Sequence, residues 1–184
     1  RKPIIPVPYS QEVMTGFEYA AAILMVQSGL VEEGLEVVRA IRERYDGEKR
    51  NPWNEIECGS NYARTMASYG LLLAFSGFSF DLARGVVGFN PIRLVEGRFQ
   101  AFWSLGTGWG TYRQDPRQIE LKILSGTLPV RCLQLPFLKA NEVGRISLAG
   151  RPLAFEQIGS DVKLAERIML QRGSRLVIER ISAG

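Results

Sequence analysis

Leu71-Leu72-Leu73-Ala74-Phe75-Ser76-Gly77-Phe78-Ser79-Phe80-Asp81 is the stretch of this sequence in which the hydrophobic periodicity changes. Before Gly77, apolar residues recur every three to four positions, which is typical of helices. After Gly77, short apolar or aromatic runs are separated by Gly, Pro, Asn or Asp, which indicates strands joined by turns. The sequence therefore predicts a mixed α+β protein, with helices in residues 1–76 and a β-rich, antiparallel, sandwich-like extension in residues 77–184.

Three helices are predicted before Gly77. The first spans residues 10–28, the second spans residues 31–45, and the third begins at Ser60, a good N-cap residue, and continues to Gly77. Three helices with strongly apolar faces do not enclose a core of their own, so we expect them to be the last helices of a larger helical assembly. The apolar positions are Val13, Phe17, Ala20, Ala21, Leu24 and Met25 in the first helix, Leu35, Val38 and Ile41 facing inward in the second, and Tyr62, Met66, Tyr69, Leu72 and Leu73 in the third.

The C-terminal part of the chain contains nine short runs with strand character. A turn is predicted at residues 149–152, and the glycines at positions 106, 108 and 110 indicate a tight turn or a bulge rather than a phosphate loop, because no helix start follows them. The predicted strands lie within residues 78–80, 85–89, 99–103, 110–112, 119–123, 130–135, 145–148, 161–164 and 175–178.

Composition excludes several classes of function. The chain has 184 residues, of which 46% are hydrophobic and 23% charged, the balance of an ordinary globular protein. Its 23 basic residues are interspersed with 19 acidic ones, so nucleic-acid binding is not predicted. There is no histidine, the commonest general base and metal ligand, and the two cysteines are too few for a zinc cage or a disulfide framework.

No signal peptide or membrane span is predicted, because the apolar runs near the N-terminus are too short and the first of them is rich in proline. We interpret Arg1 as a cut point inside a longer chain. Any targeting signal would then lie upstream of Arg1, and the compartment stays open.

One segment carries residue types that suit sugar binding. Residues 50–59 form a loop, since Pro52 disfavours a helix, and the loop enters the third predicted helix, which carries Arg64 in its first turns. Glu55 and Glu57 share one face of an extended segment, and Arg64 is placed to reach back to either of them. A carboxylate that accepts and a guanidinium that donates in a planar fork can together hold vicinal hydroxyl groups. The candidate substrate-binding residues are Glu55, Arg64, Trp53, Asn54, Glu57 and Tyr62.

The same residues also have a purely structural interpretation. Glu55 or Glu57 then pairs with Arg64 to fasten the loop to the helix, and Trp53 fills the core. Neither glutamate is predicted to be catalytic, because glycosidases place their two carboxyl groups roughly 5–10 Å apart on opposite sides of the scissile bond, and two acids on one strand are a poor match to that arrangement.

Four stretches of the helical region resemble the end of the catalytic domain of glycoside hydrolase family 116, which includes bacterial and archaeal β-glucosidases and the animal non-lysosomal glucosylceramidase. The resemblance covers residues 8–76, with a weaker match over residues 78–81 and 102–110. The stretches are Val-Met-Thr-Gly-Phe-Glu-Tyr-Ala-Ala at residues 13–21, Arg-Tyr-Asp-Gly at residues 44–47, Arg-Asn-Pro-Trp-Asn-Glu-Ile-Glu-Cys-Gly at residues 50–59, and Tyr-Ala-Arg at residues 62–64.

This resemblance implies an (α/α)6 barrel, hydrolysis of β-glucosides or related β-glycosides with retention, and neither metal nor cofactor in the chemistry. It implies that Glu55 and Arg64 bind sugar hydroxyls and that the nucleophile and acid/base lie upstream, so no catalytic residue is assigned here. The partners implied are a carbohydrate substrate, glucosylceramide-like ones included, and the missing N-terminal part of the same chain. The neighbours of the pocket would be Trp53, Asn54, Glu57 and Tyr62, with Thr15 and Glu18 as further candidates.

A second hypothesis is that the β-rich part is a non-catalytic carbohydrate-binding or domain-docking module. Four aromatic residues, Phe102, Trp103, Trp109 and Tyr112, lie close together in its sequence. The alternative for these side chains is the core of the sheet, and their alternation along the strands favours it.

Overall fold

The computed structural model describes residues 4–5, 13–55 and 65–181. The chain divides into two compact units, Arg1–Ala74 and Phe75–Gly184. The described part of the chain is mixed α+β, as predicted. No helix within it is long and apolar enough to cross a membrane.

The helical unit is built on two helices, α1 (Thr15–Gln27) and α2 (Val31–Arg44), that pack against each other. Gly34 permits this packing, because a Cβ at that position would lie 2.8 Å from the carbonyl oxygen of Ala22. The prediction for α2 is confirmed: Ile41 is buried and Leu35 and Val38 are half-buried. A 3-10 helix (Thr65–Tyr69) and α3 (Gly70–Ser76) follow in the chain.

Helix α1 leaves large apolar side chains exposed, as expected of helices that do not enclose a core of their own: Phe17 and Leu24 are both exposed. This helix is apolar around most of its circumference, so periodicity does not select a face. The buried residues of α1 are Thr15, Tyr19, Ala22 and Val26.

The third predicted helix is not one continuous α-helix within the described residues. Its α-helical part begins only at Gly70, where a Cβ would be too close to the side chain of Ile23. Ser60 and Tyr62 lie outside the described residues. The other apolar residues proposed for this helix, Met66, Tyr69, Leu72 and Leu73, are exposed.

The β-rich unit is a ten-stranded sheet in which one strand organises the rest. The first half of β5 pairs with β4 and β10, and its second half pairs with β2 and β9. The remaining pairs are β1 with β2, β3 with β4, β6 with β10 and β7, and β8 with β9. The strands are β1 (Ser79–Asp81), β2 (Val86–Gly88), β3 (Phe99–Leu105), β4 (Gly108–Gln114), β5 (Gln118–Gln134), β6 (Val143–Leu148), β7 (Arg151–Pro152), β8 (Phe155–Ile158), β9 (Asp161–Gln171) and β10 (Arg175–Arg180).

Several features of this sheet differ from the predictions. The two strands predicted at residues 119–123 and 130–135 are one strand, β5, which continues through Gly126. Gly126 has φ +71°, a conformation that costs glycine little, so the strand passes through this position without ending. The sheet is also not wholly antiparallel, because β2 runs parallel to β5. Strands β7 and β8 were not predicted as strands.

The predicted turn between β6 and β7 is confirmed in its first two residues. Ala149 and Gly150 both have positive φ, and Leu148 pairs with Arg151 across them, as in a two-residue type I′ hairpin loop. The β-rich unit has one hydrophobic core, to which β2, β3, β4, β5, β6, β9 and β10 all contribute.

Candidate functional site

The loop that leaves α2 is shaped by two side chains that bond to backbone amides. The carboxylate of Asp46 accepts hydrogen bonds from the backbone amides of Lys49 at 2.8 Å and Glu48 at 3.0 Å, which lowers the pKa of Asp46. Asn51 accepts a hydrogen bond from the backbone amide of Trp53 at 2.9 Å through its side-chain oxygen. Such turns use Asp and Asn because their short side chains reach the backbone two or three residues ahead.

After these turns, Glu55 lines a cavity of about 400 Å³ in the helical unit. The cavity is bounded by the first turns of α1, by the end of α2 with its following turn, and by the loop. Its lining residues are Thr15, Tyr19, Ile41, Arg42, Glu43, Tyr45, Asp46, Pro52 and Glu55.

Glu55 places a fully buried carboxylate in this cavity. It is 0% exposed, and neither of its carboxylate oxygens has a hydrogen-bond partner among the described residues. The hydroxyl of Thr15, which is also fully buried, is in the same situation. Buried polar groups are almost always hydrogen-bonded, and a buried carboxylate without partners is costly. Within the described part of the chain, two carboxylate oxygens and one hydroxyl group on the wall of this cavity therefore have no hydrogen-bond partner.

Tyr19 lies on the same wall and is buried. Burial raises the pKa of its hydroxyl, and the negative charge of Glu55 raises the pKa further, while Arg42 and Arg44 act in the opposite direction. The phenol therefore stays protonated and is available to donate a hydrogen bond. Tyr19 belongs to the residue 13–21 stretch, but nothing in the sequence singles it out, because an aromatic residue in an apolar helix has no signal that separates packing from function.

Glu18, a further candidate, is engaged elsewhere. Its carboxylate forms an ion pair and a hydrogen bond with Nη2 of Arg44 and thus ties α1 to the end of α2. The Nε atom of Arg44 is buried and has no hydrogen-bond partner among the described residues. Glu18 does not line the cavity that contains Glu55.

The other proposed sugar-binding residues are placed as follows. Trp53 is 71% exposed, so it does not fill a core formed by the described residues. The Asn51 turn keeps it on the surface, where an aromatic ring is available to cover a ligand. Asn54 is exposed as well. Glu57, Tyr62 and Arg64 lie outside the described residues, so their roles stay predictions.

The four aromatic residues proposed for the β-rich unit divide into two pairs. Trp103 and Tyr112 are buried in the core, where Tyr112 stacks on Phe89 with ring centroids 4.0 Å apart. Phe102 and Trp109 are 47% and 43% exposed and lie against each other, with ring centroids 5.7 Å apart. The core interpretation is correct for the first pair and wrong for the second.

Cys132 is a free, half-buried thiol, and burial raises its pKa. The described residues contain no group of three or more Cys, Asp or Glu side chains placed to hold a metal ion. Cys58 lies outside these residues.

Comparison with known proteins shows no family for this chain. No protein-family profile matches it, and no curated protein matches it in sequence. Among solved structures, it is similar to a crystal structure of a GH127 β-L-arabinofuranosidase from Geobacillus stearothermophilus T6, with a TM-score of 0.37 and 16% identity. The match covers 76% of this chain and 22% of that chain. A likeness at this level carries no conclusion about fold or function.

Proposed function

We propose that this chain is the C-terminal portion of a glycoside hydrolase that cleaves β-glucosides or related β-glycosides with retention. In this proposal its helical unit supplies side chains that bind the sugar's hydroxyl groups. The carboxylates that break the bond belong to the upstream part of the same protein. The proposal rests on the cavity around Glu55 and on the sequence motif that contains it.

The observation that carries the proposal is the buried Glu55 carboxylate, neither oxygen of which has a hydrogen-bond partner among the described residues. A carboxylate removed from water needs donors, and a sugar presents several hydroxyl donors on neighbouring carbons. Thr15 and Tyr19 on the same wall offer a hydroxyl group each. The cavity volume of about 400 Å³ falls in the range of roughly 300–1,000 Å³ typical of small-molecule sites.

Arg64 is the second residue proposed to bind the sugar's hydroxyl groups, and we call Glu55 and Arg64 together the hydroxyl clamp. It follows Glu55 within the motif that resembles family 116. Its planar fork of donors complements the acceptors of Glu55, so that one hydroxyl group receives a hydrogen bond while its neighbour donates one. The exposed ring of Trp53 is then available to cover the apolar face of the sugar or of the group attached to it.

The exposed apolar residues of the helical unit support its placement in a larger assembly. Phe17 and Leu24 on α1 are more than half exposed, and so are Met66 and Tyr69. Large apolar side chains grouped on one small unit favour burial against further protein. In this proposal the partner is the upstream helical part of the same chain, with which these helices complete an (α/α)6 barrel.

The proposal predicts that the 184-residue chain alone does not hydrolyse an aryl β-glucoside, whereas the full-length protein does. Loss of the catalytic groups usually lowers the rate by several orders of magnitude. Release of nitrophenol from the β-glucoside measures both proteins in parallel, and the same assay with the α-glucoside is the control. Turnover that co-purifies with the short chain would contradict the proposal, and so would a full-length protein that acts on no β-glycoside.

A further inference from the structure

A second cleft, of about 900 Å³, lies wholly within the β-rich unit. Its floor is the outer face of β3, β4, β5 and β10, and its rim includes the segment that precedes β3. A smaller cavity of about 400 Å³ adjoins it and shares Arg113, Glu120 and Arg175 with it. The cleft is lined by Glu96, Arg98, Gln100, Arg113, Gln118 and Glu120, among others, and the smaller cavity adds Lys122.

Basic side chains outnumber acidic ones on this face. Glu120 is buried and already accepts a hydrogen bond from Nε of Arg175 at 2.9 Å, with an ion pair to the same guanidinium. Asp115 accepts hydrogen bonds from the backbone amides of Arg117 and Gln118. The side chains of Arg98, Arg113 and Lys122 have no ion-pair partner among the described residues. Among the described residues, the face therefore offers cations without an ion-pair partner, while two of its three acidic side chains, Asp115 and Glu120, already accept hydrogen bonds.

The exposed aromatic pair lies on the same outer face. Phe102 is opposite Thr111 in the pairing of β3 with β4, and Gln100 is opposite Arg113 one step further along. Residues two apart on a strand point to the same side. Phe102 and Trp109 thus form an aromatic platform on the face of the β3–β4 hairpin that also carries Gln100 and Arg113.

We propose that this face binds a carboxylated oligosaccharide through a uronic acid residue. Arg113, with Arg98 on the rim, pairs with the carboxylate, because a guanidinium fork matches a carboxylate in a bidentate geometry. The Phe102 and Trp109 rings cover the apolar face of a sugar ring. The amides of Gln100 and Gln118 both donate and accept, which suits hydroxyl groups. This inference stands apart from the proposed function, since it concerns only the β-rich unit.

Charge also argues against a nucleic acid as the ligand. Single-stranded nucleic acids need a continuous positive groove that follows a phosphate in every nucleotide. Here Glu96, Asp115 and Glu120 line the same cleft as the arginines, so a phosphate backbone would pass three acidic side chains. A uronic acid residue places its carboxylate against Arg113, and the hydroxyl groups of that sugar and of its neighbours can donate to the acidic side chains.

Calorimetric titration of the whole chain with tetragalacturonate and with cellotetraose tests the inference. We expect tetragalacturonate to bind at least about tenfold more tightly, with an affinity that falls as salt is raised. Arg113→Gln should weaken its binding by about tenfold to a hundredfold. Trp109→Ala should weaken it by about tenfold, the scale of an aromatic stacking contact. Arg151→Gln, an exposed arginine on β7, is the matched control and should bind as the parent chain does.

Three results would overturn the inference. The first is equal affinity for the charged and the neutral tetrasaccharide, or no binding of either. The second is an equal loss in Arg113→Gln and Arg151→Gln, which would mean general attraction of anions. The third is tighter binding of oligothymidylate than of tetragalacturonate, which would assign the face to nucleic acid.

Discussion

Glu55→Gln, introduced into the full-length protein, is expected to lower kcat/KM for an aryl β-glucoside by about one to two decades. A hydrogen bond to a charged group contributes roughly 1.5–3 kcal/mol, and each 1.4 kcal/mol is a factor of ten in rate. The amide has the shape of the carboxylate but not its charge, and it accepts through one oxygen only. Because Glu55 is fully buried with both oxygens unpaired among the described residues, the substitution also removes a buried charge, so the melting temperature should not fall.

Glu48→Gln is the matched control for this experiment. Glu48 lies on the same loop and is exposed, so its substitution should leave both kinetics and melting temperature unchanged. Arg64→Lys should resemble Glu55→Gln in its effect, because lysine does not reproduce the planar fork. A Glu55→Gln protein with normal kinetics and a clearly lower melting temperature would instead identify Glu55 as half of an ion pair that fastens the loop.

Trp103→Ala should destabilise the β-rich unit by about 3–5 kcal/mol, the range measured for large aromatic residues removed from cores. Trp103 is 1% exposed, is paired with Gly110 across the hairpin and packs near Phe78, with ring centroids 6.2 Å apart. A Cβ at Gly110 would be too close to both the carbonyl oxygen of Lys122 and the indole ring of Trp103, so both groups pack directly against this glycine. For a unit of this size the loss lowers the melting temperature by roughly 12 °C or more, as followed by the far-UV signal of the strands.

Trp109→Ala is the control within the same hairpin. Trp109 lies on β4 and points to the outer face, so its removal should change the melting temperature little. Trp103→Phe should cost much less than Trp103→Ala, because it keeps an aromatic ring and removes an indole N–H that has no partner among the described residues. Equal losses for Trp103→Ala and Trp109→Ala would contradict the assignment of the two faces.

The alternation of side chains along β3 and β4 favours the sheet core for all four aromatic residues and does not choose the pair that is buried. That choice depends on what covers each side of the sheet, and this is set by strands far away in the chain. Phe89 on the far side of the core stacks on Tyr112, and its position next to β2 follows from the parallel pairing of β2 with β5. No local pattern predicts such a pairing, because it joins residues more than forty positions apart.

Gly126 shows why one strand was predicted as two. A glycine between apolar runs is the ordinary signal of a turn, and here it has the positive φ that a turn requires. A Cβ at this position would collide with the carbonyl oxygen of Thr107, so the residue is glycine because another strand approaches closely. Pairing with β4 extends to Gly126 and pairing with β9 begins at Thr127, so the strand continues. The sequence contains the glycine but not the neighbour that explains it.

In α1 the sequence predicted the helix but not its buried side. Phe17 and Leu24 carry the strongest apolar signal and are exposed, while Tyr19 and Thr15 are buried around the cavity. The candidate site was predicted from residue types on the loop, and Glu55 was among them. Its full burial was not predictable, because the burial depends on how the loop folds against α1 and α2.

The role of Glu55 in the hydroxyl clamp is tested most directly with deoxy substrates. The full-length protein and its Glu55→Gln variant are assayed with an aryl β-glucoside and with its 3-deoxy, 4-deoxy and 6-deoxy analogues, and kcat/KM is compared pairwise. If Glu55 binds a hydroxyl, the loss caused by Glu55→Gln shrinks from one or two decades to less than about threefold on the analogue that lacks this hydroxyl, because the removed bond is absent in both proteins. An equal loss on all four substrates would show that Glu55 does not contact those hydroxyl groups and would contradict the account.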